Sequence, residues 1–238
     1  MKRTLKIIIT AGPTREPIDP ARFISNYSTG KMGLALAHEA KKRNHQVILI
    51  HGPLQCSPNG MPNVAYGRPG SSASRRRTQL FATFGIKKIP VNTATEMLSA
   101  VKKYFNWCDC LIMAAAVADY RPAAVSKRKI HKSAVSLTLQ LVKNPDILKE
   151  LGKTKDGKIL VGFALETEDL LKNAKEKLVR KHADIIVGNG ISRAKSPFGE
   201  TKNSYKIIDR AQDIQSLNSI KKEKLAKVLF DKIEKMAW

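Results

Sequence analysis

The chain has 238 residues, 42% of them hydrophobic and 26% charged, the balance of a globular protein with one sizeable core or at most two small ones, not of a disordered chain. Its longest apolar runs, such as Cys110 to Ala118, are too short to cross a bilayer, and the apolar stretch after the basic start leads into Gly12-Pro13 as a first strand would, not a signal peptide. Forty-three Lys and Arg against 20 Asp and Glu give a formal charge of +23, a field that attracts polyanions without choosing among nucleotides, nucleic acid and acidic surfaces.

Leu5 to Thr10 reads as a short β-strand closed by AGPTREPIDP, where a glycine and three prolines enforce a loop. From Ser28 the apolar period changes, and Met32, Leu34 and Leu36 lead into a helix of about four turns. Gln46 to Pro53 is a second strand, so the first elements form a βαβ unit, which predicts a parallel sheet with right-handed crossovers. The segment from 53 to 90 is Gly/Ser/Arg-rich, lacks a period and is long for a connection. It reads as a mobile basic insertion whose Arg75 to Arg77 run is either a solvated loop or a nucleic-acid contact.

Thr93 to Phe105 follows as a helix, with Thr93 or Thr95 able to cap it. Cys110 begins a buried strand that runs into the loop ending at Asp119 and Tyr120. Cys56, Cys108 and Cys110 form no CxxC pair, and Cys108 and Cys110 suit packing residues of a cytoplasmic protein in a reducing compartment. Ser136 to Val142 alternates as a half-exposed strand would, and Asn144-Pro145-Asp146 opens a short helix with proline at an early helical position. Ile159 to Ala164 is a core strand, Thr167 to His182 a charged helix, and Ala183 to Asn189 a further strand. Ser204 to Asp209 reads as an edge strand. The last helix, Ser219 to Met236, stripes Leu225, Val228, Leu229, Ile233 and Met236 along one face. The alternation predicts a single α/β domain of three layers: a doubly wound, Rossmann-like, mostly parallel sheet with helices on both faces. Ligands on such sheets bind beyond the carboxyl ends of the strands, which singles out the loops after Thr10, Ala118, Ala164 and Asn189.

Several chemistries are absent from the sequence. A Walker A loop requires GxxxxGK[ST], but Ser25 stands five residues before Gly30 and Met32 follows Lys31; no GxGxxG fingerprint occurs either. The five histidines show no HExxH or paired spacing, so no transition-metal site is signalled, and there is no GxSxG elbow. Ser28, Thr29 and Gly30 nevertheless stand at a helix start, where backbone N–H groups suit an anion. The alternative there is that Ser28 merely caps the helix while Gly33 permits close helix–sheet packing. Asp119 at a strand's carboxyl end, Lys129 in a basic loop, and Lys177 with Lys181 at i and i+4 add charged groups along one sheet edge. With no nucleophile or metal cluster, positioned cations and amides acting on a phosphate substrate are the leading chemistry.

The segments AGPTREPIDPARFISNYSTGKMG, AAAVADYRP with KIHK after it, LVKNPDIL, VGFALETEDLLKNAKEKLVRK and DIIVGN, in this order, resemble bacterial phosphopantothenoylcysteine synthetase. The resemblance runs along nearly the whole chain, broken mainly by the 53–90 segment, and suggests a free-standing form without the decarboxylase domain to which that enzyme is often fused. It implies a Mg2+-assisted, CTP-dependent ligase that joins 4'-phosphopantothenate to cysteine through an acyl cytidylate, with Mg2+ held mainly by the triphosphate. Asp119, Lys129, Pro145, Asp146, Ile147, Leu148, Phe163, Lys177 and Lys181 match CTP-contacting positions, and Met113 another, through its backbone. Asn26 matches the asparagine of the second half-reaction, Arg22 an arginine important to the same step, and Lys129 is the candidate to stabilise charge on the phosphoryl centre. The resemblance further implies a homodimer with the site near the subunit interface, and a separate phosphopantothenoylcysteine decarboxylase as a functional partner. His131 stands where a lysine is usual, Leu165 replaces an alanine and can crowd the nucleotide, and Gly188-Asn189-Gly190 replaces Ala-Asn-Asp.

Two rivals make different demands. A basic nucleic-acid-binding α/β domain would account for the charge and for Arg75 to Arg77, but no aromatic-studded basic strand suggests base stacking, so nucleic acid is not an expected partner. A flavin-binding decarboxylase would need a catalytic histidine in a flavodoxin-type loop, a context none of the five histidines occupies.

Overall fold

The computed structural model describes residues 3–54, 85–132, 135–190 and 202–237. Strand β1 (Lys6–Ala11) is the hub. Its alternate side chains Ile7 and Ile9 pack into one core layer and Ile8 into the other, so both faces of the strand are covered. After β1 come a small hairpin, β2 (Arg15–Pro17) with β3 (Phe23–Ser25), and then helix α1 (Lys31–Lys42). Strands β4 (Gln46–His51) and β5 (Lys87–Pro90) add in parallel on one side of β1. Helix α2 (Ala94–Phe105), capped by Thr93 through Glu96 N–H as its sequence allows, then returns the chain to β6 (Cys110–Met113) on the other side.

A second hairpin, β7 (Tyr120–Pro122) with β8 (Leu141–Lys143), stands apart from the main sheet. Helix α3 (Ile147–Gly152), β9 (Ile159–Glu166), α4 (Leu170–Arg180) and β10 (Ile185–Gly190) continue the winding. Strands β11 (Asn203–Asp209) and β12 (Ile214–Ile220) then pair antiparallel, and α5 (Lys222–Met236) follows. The main sheet runs β12-β11-β10-β9-β6-β1-β4-β5. Helices α1 and α5 cover one face around Leu36, Leu229 and Phe230; α2, α3 and α4 cover the other around Met97, Leu148 and Leu178. The expected three-layer α/β architecture with a mostly parallel sheet is what forms.

Several boundaries differ from the sequence reading, each for a local reason. Lys87–Pro90 is a sheet strand and not part of an insertion; its short, charged run hid it. Residues 55–84, with Arg75 to Arg77, lie outside the described residues. Ser136 to Val142 does not form a strand along its length: only Leu141–Lys143 pairs, and it pairs with β7, not with the core sheet. Pro145 precedes α3, whose N-cap is Asp146 accepting from Lys149 N–H. Ser204 to Asp209 is not the edge, because β12 lies beyond it, and Ser219 belongs to β12's end at a left-handed φ of 52° instead of opening α5. On α5, Phe230 is fully buried while Met236 is exposed. Cys108 and Cys110 are buried and unbridged, as expected of packing residues.

Candidate functional site

The chain leaves β1 towards β4 on one side and later enters β6 on the other, so a crevice opens beyond the carboxyl ends of β1 and β6. This is where open α/β sheets place their ligands. A cavity of about 620 Å³ lies there, within the ~300–1,000 Å³ usual for ligand sites. Its walls are the turn and start of α1 (Asn26 to Met32), the loop after β6 (Met113 to Asp119), Asn144 to Leu148, the end of β9 (Phe163 to Leu165), and Lys177, Lys181, Asn189, Tyr205 and Lys222.

The loop after β6 is held by the loop after β1. Thr10 Oγ1 accepts from Ala115 N–H at 3.1 Å, Thr14 Oγ1 accepts from Ala118 N–H at 3.0 Å, and Ala116 N–H donates to Gly12 O at 2.9 Å. Both threonines are buried, so these bonds persist away from competing water. Asn26 joins the same construction: its Nδ2 donates to Val117 O at 2.9 Å, while Ser25 Oγ before it donates to Thr14 O at 2.7 Å. The amide plane of Asn26 is thereby oriented at the cavity rim.

Gly30, not Ser28, is the N-cap of α1, and it makes no side-chain cap. Its φ of 77° is left-handed, and a Cβ there would overlap Leu54. Ser28 Oγ instead accepts from Gly30 N–H at 3.3 Å, so serine braces the turn without capping the helix. Ser28, Thr29 and Gly30 all line the cavity, and the positive end of α1 points into it. Gly33 allows the close packing foreseen: a Cβ there would lie 2.9 Å from Thr10 O and would overlap the Ala11 side chain.

On the far wall, Asn144 Nδ2 donates to Ala118 O at 2.8 Å and Asn144 N–H to Asp119 O at 2.8 Å, which presents the exposed Asp119 carboxylate at the mouth. Lys181 pairs with Asp146 at 3.2 Å. Lys177 pairs with Glu166 at 2.5 Å, and Asn173 Nδ2 also donates to Glu166 at 3.0 Å. Two ammonium groups on one helix end therefore face the cavity, each steadied by a carboxylate. Burial pushes the Tyr205 hydroxyl up at the back of the site.

Of the residues read from sequence, Asn26, Ser28, Thr29, Gly30, Met113, Asp119, Pro145, Asp146, Ile147, Leu148, Phe163, Lys177 and Lys181 line this one cavity. Arg22 and Lys129 do not. The Arg22 guanidinium bonds Asp19 and Ile130 O, and Lys129 is exposed on the adjoining loop. Leu165 lines the cavity with an exposed side chain at its edge. Asn189 stands at one of the strand ends that the sequence marks for ligands, whereas Asn144, Tyr205 and Lys222 were not singled out as site residues. Asn144 follows the small antiparallel hairpin, outside the parallel sheet whose carboxyl ends the sequence marks, and Tyr205 and Lys222 come from the antiparallel strand β11 and from α5.

A model of the DNA/pantothenate metabolism flavoprotein C-terminal domain matches residues 3–66 and 75–236, so only 67–74 of the basic segment falls outside the match. The coenzyme A biosynthesis bifunctional protein CoaBC of Bacillus subtilis is 42% identical over 203 residues, covering 85% of this chain and 44% of that protein. A cysteine/cysteine sulfinic acid decarboxylase from an unknown prokaryotic organism is 38% identical over 229 residues, 96% of this chain and 57% of that one. The chain spans about half the length of the curated relatives it matches. The crystal structure of the C-terminal domain of CoaBC superimposes with a TM-score of 0.74 at 33% identity, covering 98% of this chain and 95% of that domain. A family model spanning most of the sequence and a solved domain covering nearly all of it agree, and the chain belongs to the DNA/pantothenate metabolism flavoprotein C-terminal domain family.

Proposed function

We propose that the protein is a phosphopantothenate–cysteine ligase of coenzyme A biosynthesis that uses CTP. The observation that carries this reading is that one cavity gathers the amide of Asn26, the α1 N-terminus, Asp119 and the Lys177–Lys181 pair, a set suited to a triphosphate beside a second phosphate. The CoaBC relatives and their solved C-terminal domain support the pathway.

The carboxylate of 4'-phosphopantothenate attacks the α-phosphorus of CTP and pyrophosphate leaves, giving an acyl cytidylate. The amine of cysteine then attacks the acyl carbon and CMP leaves. Both nucleophiles come from substrates, so the protein's work is alignment and charge neutralisation. Lys177 and Lys181 take triphosphate oxygens, and Lys129, carried on the neighbouring loop, stabilises charge on the phosphoryl centre. The backbone of Met113, Pro145 and Asp146 with the start of α3 (Ile147, Leu148), and Phe163 hold the nucleoside, and Ser28 to Gly30 receive the pantothenate phosphate. The second N–H of the oriented Asn26 amide stabilises the oxyanion that forms as cysteine attacks. Mg2+ neutralises phosphate charge when bound. The ion is held chiefly by the triphosphate, with the Asp119 carboxylate at the cavity nearby.

The exposed apolar groups Phe23, Tyr27, Tyr120 and Leu141 lie on or beside the two small hairpins next to the cavity, which supports a homodimer meeting there. Buried, unbridged Cys108 and Cys110 support a cytoplasmic setting, and a phosphopantothenoylcysteine decarboxylase would consume the product.

The test is release of pyrophosphate with 4'-phosphopantothenate and CTP, then of CMP on adding cysteine. Asn26→Ala should still form pyrophosphate and lose the cysteine-dependent product. Absence of pyrophosphate from the wild type with any nucleotide would overturn the assignment.

A further inference from the structure

We propose that Asp19, acting through Arg22, is a positioning residue that fastens the Lys129 loop at the site. Asp19 sits in the turn between β2 and β3 with 3% of its surface exposed, a depth at which a carboxylate must be fully bonded. Its Oδ1 accepts from Ala21 N–H at 2.8 Å and Arg22 N–H at 2.9 Å, which is all a local turn requires. Its Oδ2 does something a turn does not require: it accepts from Arg22 Nε at 3.0 Å, from Arg22 Nη2, and from Ile130 N–H at 3.1 Å. The same Arg22 Nη2 donates to Ile130 O at 2.7 Å. Both backbone groups of Ile130 are thus taken by one ion pair more than a hundred residues away in sequence.

The other end of the loop is tied to the same turn, because Ser126 N–H donates to Ile18 O at 2.9 Å. Between these ties Arg128 N–H donates to Ser126 Oγ at 3.3 Å, so the short stretch is braced internally as well. Lys129 is the exposed residue directly before the bracketed Ile130. The turn that fastens it leads through β3 into Ser25 and Asn26, which are themselves bonded to Thr14 and Val117. Asp19 therefore makes one body of the group proposed for the phosphoryl centre and the group proposed for the acyl centre. Arg22, matched by resemblance to a residue of the reaction, acts through a backbone and not as a cavity contact.

This inference rests on the ligase reading, and the experiment separates the two. Asp19→Asn, Lys129→Ala and the double variant are made in the full chain. Pyrophosphate release with 4'-phosphopantothenate and CTP is measured alongside trypsin cleavage between Lys127 and Lys132 without ligands. Asp19→Asn should lower kcat by ~10–100-fold, the cost of a small misplacement, with far less change in KM for CTP. The double variant should be no slower than Lys129→Ala alone, since the clamp acts only through that lysine. Trypsin should cut the loop several-fold faster in Asp19→Asn than in wild type. Additive losses, or wild-type activity in Asp19→Asn, overturn the proposal. Should Asp19→Asn fail to fold, Arg22→Gln keeps the Oδ1 turn bonds and must show the same non-additivity. A wild type that releases no pyrophosphate sinks the ligase reading only; the clamp is then judged by trypsin, and equal cleavage rates refute it.

Discussion

Gly33 is the point where α1 lies closest to the sheet, and Gly33→Ala tests whether the helix that opens the candidate site is packed as described. A Cβ at this position would meet Thr10 O at 2.9 Å and Ala11 Cα at 3.0 Å, and would overlap the Ala11 methyl. Ordinary carbon contacts are about 3.5–4 Å, so something must withdraw by roughly 0.5–1 Å. Strand β1 cannot, because β4 and β6 hold it on both sides, and the helix must give. Overpacking costs about 1–3 kcal/mol, and three contacts at or below 3.0 Å put this site in the upper part of that range, about 2–3 kcal/mol. Alanine returns about 1 kcal/mol of helix propensity over glycine. The net loss should be about 1–2 kcal/mol, a fall in Tm of roughly 2–8 °C for a chain of this size. Gly157→Ala is the matched control, with open space around its Cβ but a φ of 72°. It should lose about 1–2 kcal/mol through backbone strain alone. Differential scanning calorimetry measures both, and nucleotide titration separates them: Gly33→Ala moves the helix N-terminus at the cavity and should weaken binding, while Gly157→Ala should not. A Gly33→Ala protein as stable as wild type, or more so by propensity, would refute the close approach.

Lys177→Met removes a cavity cation and takes from the half-buried Glu166 carboxylate its ammonium partner beside the phosphates. Loss of a charge-assisted contact worth about 1.5–3 kcal/mol should raise KM for CTP by ~10–100-fold, more than Glu166→Gln does, by steady-state kinetics. An unchanged KM would remove Lys177 from the triphosphate site. The Arg22 guanidinium and three backbone amides, those of Ile130, Ala21 and Arg22, hold the Asp19 carboxyl well below the usual carboxylate range. Its contribution to stability is therefore present above the unfolded value, near pH ~4, and is lost only as pH falls through the lower folded value. The stability gap between wild type and Asp19→Asn should stay level from pH 7 to about 4 and narrow below that, by urea unfolding. A gap that grows on acidification would contradict the pairing.

The period of the apolar residues carried most of the fold. Ile7 to Ile9, Ile159 to Val161 and Ile185 to Val187 are continuous apolar runs because parallel strands are buried on both faces, and the helices between them declare one apolar stripe each. Elements without such a signal were lost. Strand β5 is short and charged, and β12 is an almost wholly exposed edge strand, so neither has the pattern that burial imposes. The alternative in which Ser28 caps α1 has the right side-chain chemistry, but Gly30 takes the cap position because it tolerates the left-handed backbone beside Leu54.

Sequence alone determined the layer architecture and the edge of the sheet where the cavity opens, and its motifs and helix-start signal picked out thirteen residues now found around that cavity. The architecture and the edge are consequences of local periodicity and chain order, whereas most of the residues were picked out by motif resemblance to a known family and Ser28 to Gly30 by the signature of a helix start. Only the tertiary structure decided that Glu166 and Asp146 steady the two lysines, and that Arg22 turns away from the cavity to bind Asp19 and Ile130. The Lys181–Asp146 pair and the Arg22–Ile130 bond join residues far apart in the chain, and every one of these bonds depends on ångströms and angles that no spacing along a sequence encodes.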